Sequence, residues 1–273
     1  MNDKCKTKYP FVMVHGTGFR DRKHFGYWGR IPKALESEGA TIYFGHQDSW
    51  GTVEQNAKTL QENINKIMLK TGNDKFNVIT HSKGGLDMRY LISSLGMSDN
   101  IVSLTTICTP HHGSKTMDKL FKLPSFLFKI VSVLANLWFR MLGDDKPDFH
   151  AVCGQFTTDY ACKFNMANPD SENVYYQSYG AVMKNSFSDL IMFIPHLVVK
   201  LVEGENDGLL TPSSANWTNF KGVLKSGTRR GISHADEVDI RRMKISKKPA
   251  DGHVNDICDV YIQIASELKQ LGY

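Results

Sequence analysis

Cysteine is scarce and unpatterned in this chain. The five residues Cys5, Cys108, Cys153, Cys162 and Cys258 are odd in number and scattered in position. That excludes a disulfide framework and a zinc-ligand pattern. Cys108 ends an apolar run and reads as a buried thiol, and the set as a whole fits a reducing or anaerobic setting. Strong charge of one sign is also missing. The balance of 33 basic and 28 acidic residues gives +5, too mild to imply a nucleic-acid partner. Internal repeats and low-complexity segments are absent. No uncharged apolar run reaches the ~20 residues that a transmembrane helix requires. Residues Met1 to Lys6 lead straight into the first apolar run with no signal peptide. The chain therefore reads as cytoplasmic, or as secreted with its export signal absent from this sequence. What remains is 41% hydrophobic and 22% charged, the balance of a globular protein with a real core. At 273 residues it is long enough for one large domain.

The stretch Phe76-Asn77-Val78-Ile79-Thr80-His81-Ser82-Lys83-Gly84-Gly85 reads as a short apolar strand, a sharp turn at Ser82 and a helix start. A serine on such a turn projects its hydroxyl from the end of a sheet beside helix N-terminal amides. Strand and helix nearly touch there, so small residues are needed. Gly84 meets that need on the helix side, while Thr80 stands where G-x-S-x-G has its first glycine. Ser82 is the candidate nucleophile; the plainer alternative is a helix-capping serine.

Around it the chain alternates. Phe11–Val14 is a continuous apolar run suited to burial on both faces, and it enters the glycine-rich turn His15-Gly16-Thr17-Gly18. The amide of Thr17 is the candidate first oxyanion donor, and the amide of Lys83 the second. Ile31 to Glu38 predicts a helix closed by Gly39, and residues 41–44 a strand. Val53, Ala57, Leu60, Ile64 and Ile67 form one stripe of a long helix ending at Gly72. Residues 101–108 predict a further strand. Regular alternation of this kind implies a mostly parallel sheet with helices on both faces.

From Met117 to Leu142 large apolar residues crowd together, punctuated by Lys119, Lys122, Lys129 and Arg140, with Pro124 starting a new helix. The segment is read either as a buried core helix or as an amphipathic cover over the site, and the cations beside the apolar groups favour the cover. Residues 149–168 read as helix and then irregular chain, residues 174–180 as a strand, and residues 197–202 as another. Past that last run, Asp207 in an Asn-Asp-Gly turn is the candidate acid, with Asp189 and Glu205 as fallbacks. His234 and His253 both precede the last helix and both qualify as the base; His111 and His112 are weaker alternatives. The run Arg241, Arg242, Lys244, Lys247 and Lys248 reads as a solvated loop rather than a phosphate site.

Together these motifs resemble the bacterial true lipases of the Pseudomonas and Proteus type. The resemblance rests on residues 9–16, Tyr27-Trp28 with Ile31-Pro32, and residues 78–85 with Arg89-Tyr90. It continues through residues 110–114, Phe164-Asn165, residues 206–209, residues 234–238 and the closing helix. It implies an α/β-hydrolase fold with a helical lid inserted at about residues 115–168. It also implies Ser82 as nucleophile, His234 as base and Asp207 as the acid that orients it. No cofactor for catalysis follows from it. A structural calcium ion does, held by Asp236 and by an aspartate upstream of the catalytic acid, for which Asp189 is the nearest candidate. The loop after Asp236 is strongly basic through Arg241 and Lys248, whereas calcium prefers several hard oxygens.

The expectation is thus a serine carboxylic ester hydrolase acting on lipid esters at an oil–water interface. The alternatives are a small-molecule esterase or acyltransferase and, further off, a non-catalytic lipid-binding protein.

Overall fold

The computed structural model describes residues 3–21, 26–122, 125–248 and 252–273. Among these residues six strands form one sheet in the order β2-β1-β3-β4-β5-β6, every neighbouring pair parallel. They are β1 (Phe11–Val14), β2 (Ile42–Phe44), β3 (Phe76–His81), β4 (Ile101–Ile107), β5 (Tyr175–Ala181) and β6 (Phe220–Leu224). Among the described residues ten α-helices connect and cover them: α1 (Ile31–Ser37), α2 (Val53–Thr71), α3 (Gly84–Ser93), α4 (Lys115–Leu120), α5 (Ser125–Met141), α6 (Phe149–Gly154), α7 (Thr158–Ala167), α8 (Phe193–Val202), α9 (Pro212–Ala215) and α10 (Ile257–Gln270).

The alternating side chains of β1 show why both sheet faces carry helices. Phe11 and Met13 point into a core shared with Ile31 and Leu35 of α1 and Tyr261 and Ile264 of α10. Val12 and Val14 point the other way, into a core with Leu60 and Ile64 of α2 and Met88 and Leu91 of α3. Each of these side chains contributes about 1.5–3 kcal/mol by leaving water, and together they set which face each helix must cover. α2 is bounded by its sequence: Thr52 and Gln55 form a capping box, and Gly72 ends it with φ 75°.

Two elements differ from the sequence reading. Residues 197–202, expected as a strand, belong to helix α8. Leu197, Val198 and Leu201 are apolar and at least partly exposed while His196 and Val199 are buried, so the helix is apolar nearly all round. A continuous apolar run of that kind has no period to distinguish it from a strand. β6 was not foreseen. It is an edge strand broken by Gly222 at φ 108°, and Lys221 interrupts its apolar pattern. The helix start expected at Pro124 lies outside the described residues. Helices α4 to α7 all fall between β4 and β5, and no helix among the described residues is long and apolar enough to cross a membrane.

The approach of α3 to β1 is close. A Cβ built on Gly84 would stand 2.5 Å from the His15 carbonyl oxygen and 2.6 Å from that of Val14. Gly84→Ala should therefore destabilise the fold by roughly 1–3 kcal/mol, measured as a lowered midpoint in urea. An unchanged midpoint would contradict this packing.

Candidate active site

The site is built at the carboxyl end of the sheet. β3 runs directly into Ser82, whose φ of 54° is left-handed for a residue with a side chain. This strained turn throws the hydroxyl out of the sheet end, and Ser82 lines the apolar cavity described below. Its backbone is fixed on both sides: its N–H donates to the Ile107 carbonyl at 2.9 Å, and its carbonyl accepts from Thr109 Oγ1 at 2.7 Å. Gly16 packs against it so closely that an added Cβ would stand 2.7 Å from the Ser82 Cβ. Thr80, in the place of the usual glycine, is buried within β3 with its hydroxyl donating to the Thr105 carbonyl at 3.2 Å. The small β-branched residue is accommodated because its one polar atom is satisfied there.

Thr17 lies in the turn after β1 and lines the same cavity as Ser82. Gln47 braces that turn, its side-chain amide donating to the His15 carbonyl at 2.8 Å. Lys83 stands just before α3, as its N-cap, and its buried side-chain nitrogen turns away to pair with Asp87 at 2.5 Å. Asp87 in turn accepts from Asn56 at 2.9 Å. The Lys83 side chain is thus committed to the core, and what Lys83 offers the site is its backbone.

Asp207 follows α8 in a turn that fills both of its carboxylate oxygens. Oδ1 accepts from the amides of Leu209 and Leu210, each at 2.8 Å, and Oδ2 meets His234 Nδ1 at 2.8 Å. Burial alone would push this carboxyl up. The His234 imidazole and the two amides outweigh burial and hold it below its ordinary value, so Asp207 is ionised. The backbone repeats the link, with the His234 N–H donating to the Asp207 carbonyl at 2.8 Å. The turn is stitched to the end of β5, since Met183 donates to the Asn206 carbonyl and Ile232 to that of Val182, both at 2.8 Å. The acid therefore reaches the carboxyl edge through the chain beyond β5 and not through a strand of its own. The His234 ring lies 4.4 Å, centroid to centroid, from that of His81, the residue before Ser82.

The other candidates are held elsewhere. His111 is buried between Thr106, Arg89 and the face of Trp217. His112 Nε2 bonds the Asn216 carbonyl. His253 borders a separate surface groove with Asn255 and Asp259, and Glu205 is exposed.

Glu237 was not singled out from sequence, although it stands three residues after His234. It is fully buried, with Oε2 at 2.7 Å from His81 Nε2 and 3.5 Å from His234 Nδ1. His81 Nδ1 continues the chain to the Tyr27 hydroxyl at 2.6 Å. Burial, and then the charge of Asp207, push the Glu237 carboxyl well above its usual range, while burial pushes His81 well below its own. An acid hidden in this way has no signature along the chain, because its burial depends on residues far away in sequence.

Asp189 and Asp236, the expected calcium ligands, do share one locus, but the donors around them do not suit an ion. Asp189 Oδ2 accepts from Ser233 Oγ at 2.6 Å and from Arg241 Nη2 at 2.7 Å; Oδ1 accepts from the Ile191 amide at 3.0 Å. Asp236 accepts from the Ser233 amide at 3.2 Å and lies 3.3 Å from Arg230 and 3.6 Å from Arg241. Calcium takes about six to eight oxygens. Here two carboxylates already face protein donors and two guanidinium groups. Among the described residues, the groups of three possible ligands are His81, His234 and Glu237, and Cys108, Asp207 and Glu237; neither includes Asp189 or Asp236.

Above Ser82 opens a cavity of about 450 Å³ with an almost wholly apolar lining. Its walls come from Leu120 of α4, Phe128 of α5, Phe149 of α6 and Ile194 and Val198 of α8.

A parallel sheet with helices on both faces, shared with solved lipases and esterases, is the α/β-hydrolase fold, and at its carboxyl edge stand a serine on a strained strand-to-helix turn and a bonded Asp–His pair. Residues 10–230 match the family described as palmitoyl protein thioesterase, and the chain belongs to it. It is similar to triacylglycerol lipase 2 of Saccharomyces cerevisiae, 30% identical across 90% of this chain and 74% of that protein. It is likewise 31% identical to a triacylglycerol lipase of Pseudomonas fragi across the whole of both chains. Among solved structures, lipase 1 of Pelosinus fermentans superposes over the whole of both chains with a TM-score of 0.68 at 16% identity. The chain is accordingly a hydrolase of ester bonds.

The Glu237 environment makes stability depend on pH. Its folded-state pKa lies above its unfolded value, so the native protein holds this proton more tightly. Stability from this group is present below the ordinary carboxylate range near ~4 and is lost as pH rises toward the folded value, by up to about 1.4 kcal/mol per pH unit. Glu237→Gln should remove that loss, so its urea midpoint should gain on the parent protein as pH rises. Parallel curves for the two proteins would contradict the assignment.

Proposed function

We propose that this protein is a serine lipase of the Pseudomonas type, cleaving carboxylic esters of long acyl chains through Ser82, His234 and Asp207. One observation carries the reading: Ser82 opens from its strained turn into a large apolar cavity, and the ring of His81, the residue before it, lies 4.4 Å from the ring of His234, which Asp207 already bonds. Asp207 bonds Nδ1 of His234, which leaves Nε2 as the proton acceptor. As the Ser82 hydroxyl attacks the acyl carbonyl carbon, its proton passes to His234. The amides of Thr17 and Lys83 take the oxyanion. When the tetrahedral intermediate collapses, the bond to the alcohol breaks and the proton goes from His234 to the leaving oxygen. Water then enters, gives its proton to His234 and attacks the acyl-enzyme; collapse frees the acid and returns the proton to Ser82.

The substrate class follows from the surroundings of the cavity. On α5, Leu134, Leu137, Trp138 and Met141 are each more than half exposed, and around the start of α8 so are Phe187, Leu190, Ile191 and Ile194. Soluble surfaces rarely keep apolar patches of this extent without a use. The same two helices supply cavity-lining side chains, Phe128 from α5 and Ile194 and Val198 from α8. Helices α4 to α8 thus make a cover whose outer face suits an oil–water interface and whose inner face suits an acyl chain. The family description favours a second reading, in which the same residues cleave an acyl thioester; nothing in the attack on the carbonyl distinguishes the two leaving groups.

Ser82→Ala should lower turnover on a p-nitrophenyl acyl ester by a factor on the order of 10⁴–10⁶. The parent protein should turn over emulsified triacylglycerol faster than the same ester below its solubility limit. Activity kept in Ser82→Ala would end the proposed mechanism. A rate that saturates below the solubility limit would remove the interface, and a preference for acyl thioesters would select the second reading.

A further inference from the structure

The Arg241 side chain is only about one-quarter exposed, although its basic run reads as a solvated loop. It reaches two segments at once. Nη2 donates to Asp189 Oδ2 at 2.7 Å and to the Ser188 carbonyl at 3.0 Å, and Nε faces Asp236 Oδ1 at 3.6 Å. Asp189 also accepts from the amides of Ile191 and Met192, just ahead of α8. Asp236 and Ser233 bond each other across His234: the Ser233 amide donates to the Asp236 carboxylate, and the Asp236 amide to Ser233 Oγ at 3.1 Å. Ser233 Oγ in turn donates to Asp189. The turn that carries His234 is therefore tied to the entrance of α8 through two carboxylates. Both are almost buried, at 3% and 8% side-chain exposure.

Two neighbouring buried carboxylates repel and lose hydration, so they persist only with a compensating cation. We propose that the Arg241 guanidinium, bridging Asp189 and Asp236, is that cation: a positioning residue that holds the His234 turn in the place the lipase resemblance gives to calcium. Arg230 assists from the other side of Asp236. The planar fork suits the task, because one guanidinium presents separate N–H groups to two carboxylates, which a single ammonium cannot do in the same geometry. Calcium added to this locus would place a divalent charge beside two guanidinium groups with every carboxylate oxygen already engaged. The inference rests on His234 being the base, and it makes the active site independent of divalent ions.

The test uses the full chain in three arms. In the first, melting temperature and ester turnover of the parent protein are measured in EDTA and in excess calcium. Both should be unchanged, and a saturable rise of either with calcium would overturn the proposal. In the second, Arg241→Ala, Arg241→Gln and Arg241→Lys are compared per active site, titrated with an acyl phosphonate. Loss of the bridge should lower kcat by roughly 10–100-fold with little change in KM, and Arg241→Lys should lie between parent and Ala. In the third, methylguanidinium is added to Arg241→Ala and should restore part of kcat. An unchanged kcat per titrated site in the variants that fold, or no rescue, would overturn the proposal. If no variant folds, the calcium arm decides. Ser82→Ala separates the two levels: should it stay active, the catalytic reading falls, while the calcium response of the melt still judges the bridge.

Discussion

The bond between Asp207 and His234 is the contact on which the rest of the site depends. It joins an acid delivered by the turn after α8 to an imidazole delivered by a loop twenty-seven residues later, and it does so in a place from which water is excluded. An ionised carboxylate is tolerated there only because each of its oxygens has a partner. Two come from the backbone of its own turn and one from the ring. Remove any of them and the burial that sharpens the electrostatics becomes a cost instead. The surrounding construction makes sense as protection of this one contact: the turn is sewn to the end of β5, Glu237 and His81 fill the space behind the ring, and Asp189, Arg241 and Asp236 hold the loop from outside.

Two buried carboxyl groups that lie side by side in space, Asp207 and Glu237, are handled differently. Asp207 stays ionised because its donors are good hydrogen-bond partners at short range. Glu237 meets another acid and a low-dielectric surround, so it favours its neutral form. The division keeps a single negative charge against the His234 ring. On the open side of the site the chemistry changes to apolar walls, and α5 and α8 carry that character outward to the surface. One layer of helices thus lies between the polar cluster and an apolar outer surface.

How much of this could be read along the chain depended on how local the physics is. The Ser82 turn was legible because its strand, its turn and its glycines are consecutive residues, and a strained backbone leaves a compositional trace there. The parallel sheet was legible from β1, β3 and β4, where continuous apolar runs alternate with the helical stripe of α2. Residues 197–202 were misread because a helix apolar on most sides has no period, and β6 was missed because an edge strand carrying Lys221 and Gly222 has little apolar pattern to show. Asp207 was reached through an expected strand that is a helix; its turn is where the structure brings it against His234. Glu237 and the Arg241 bridge were illegible for a common reason: each is defined by a partner far away in sequence, His81, 156 positions upstream, for the first and Asp189, 52 positions upstream, for the second.

The central claim is that the Ser82 hydroxyl is made reactive by its neighbours at the carboxyl edge of the sheet. The most direct measurement is to inactivate the protein with an acyl phosphonate and locate the modified residue by peptide mass spectrometry. The account predicts one phosphonyl group per chain, on Ser82, with inactivation proportional to labelling and no labelling in Asp207→Asn/His234→Ala over the same interval. Inactivation with the label on another residue, or full ester hydrolysis by a chain that never labels, would contradict it.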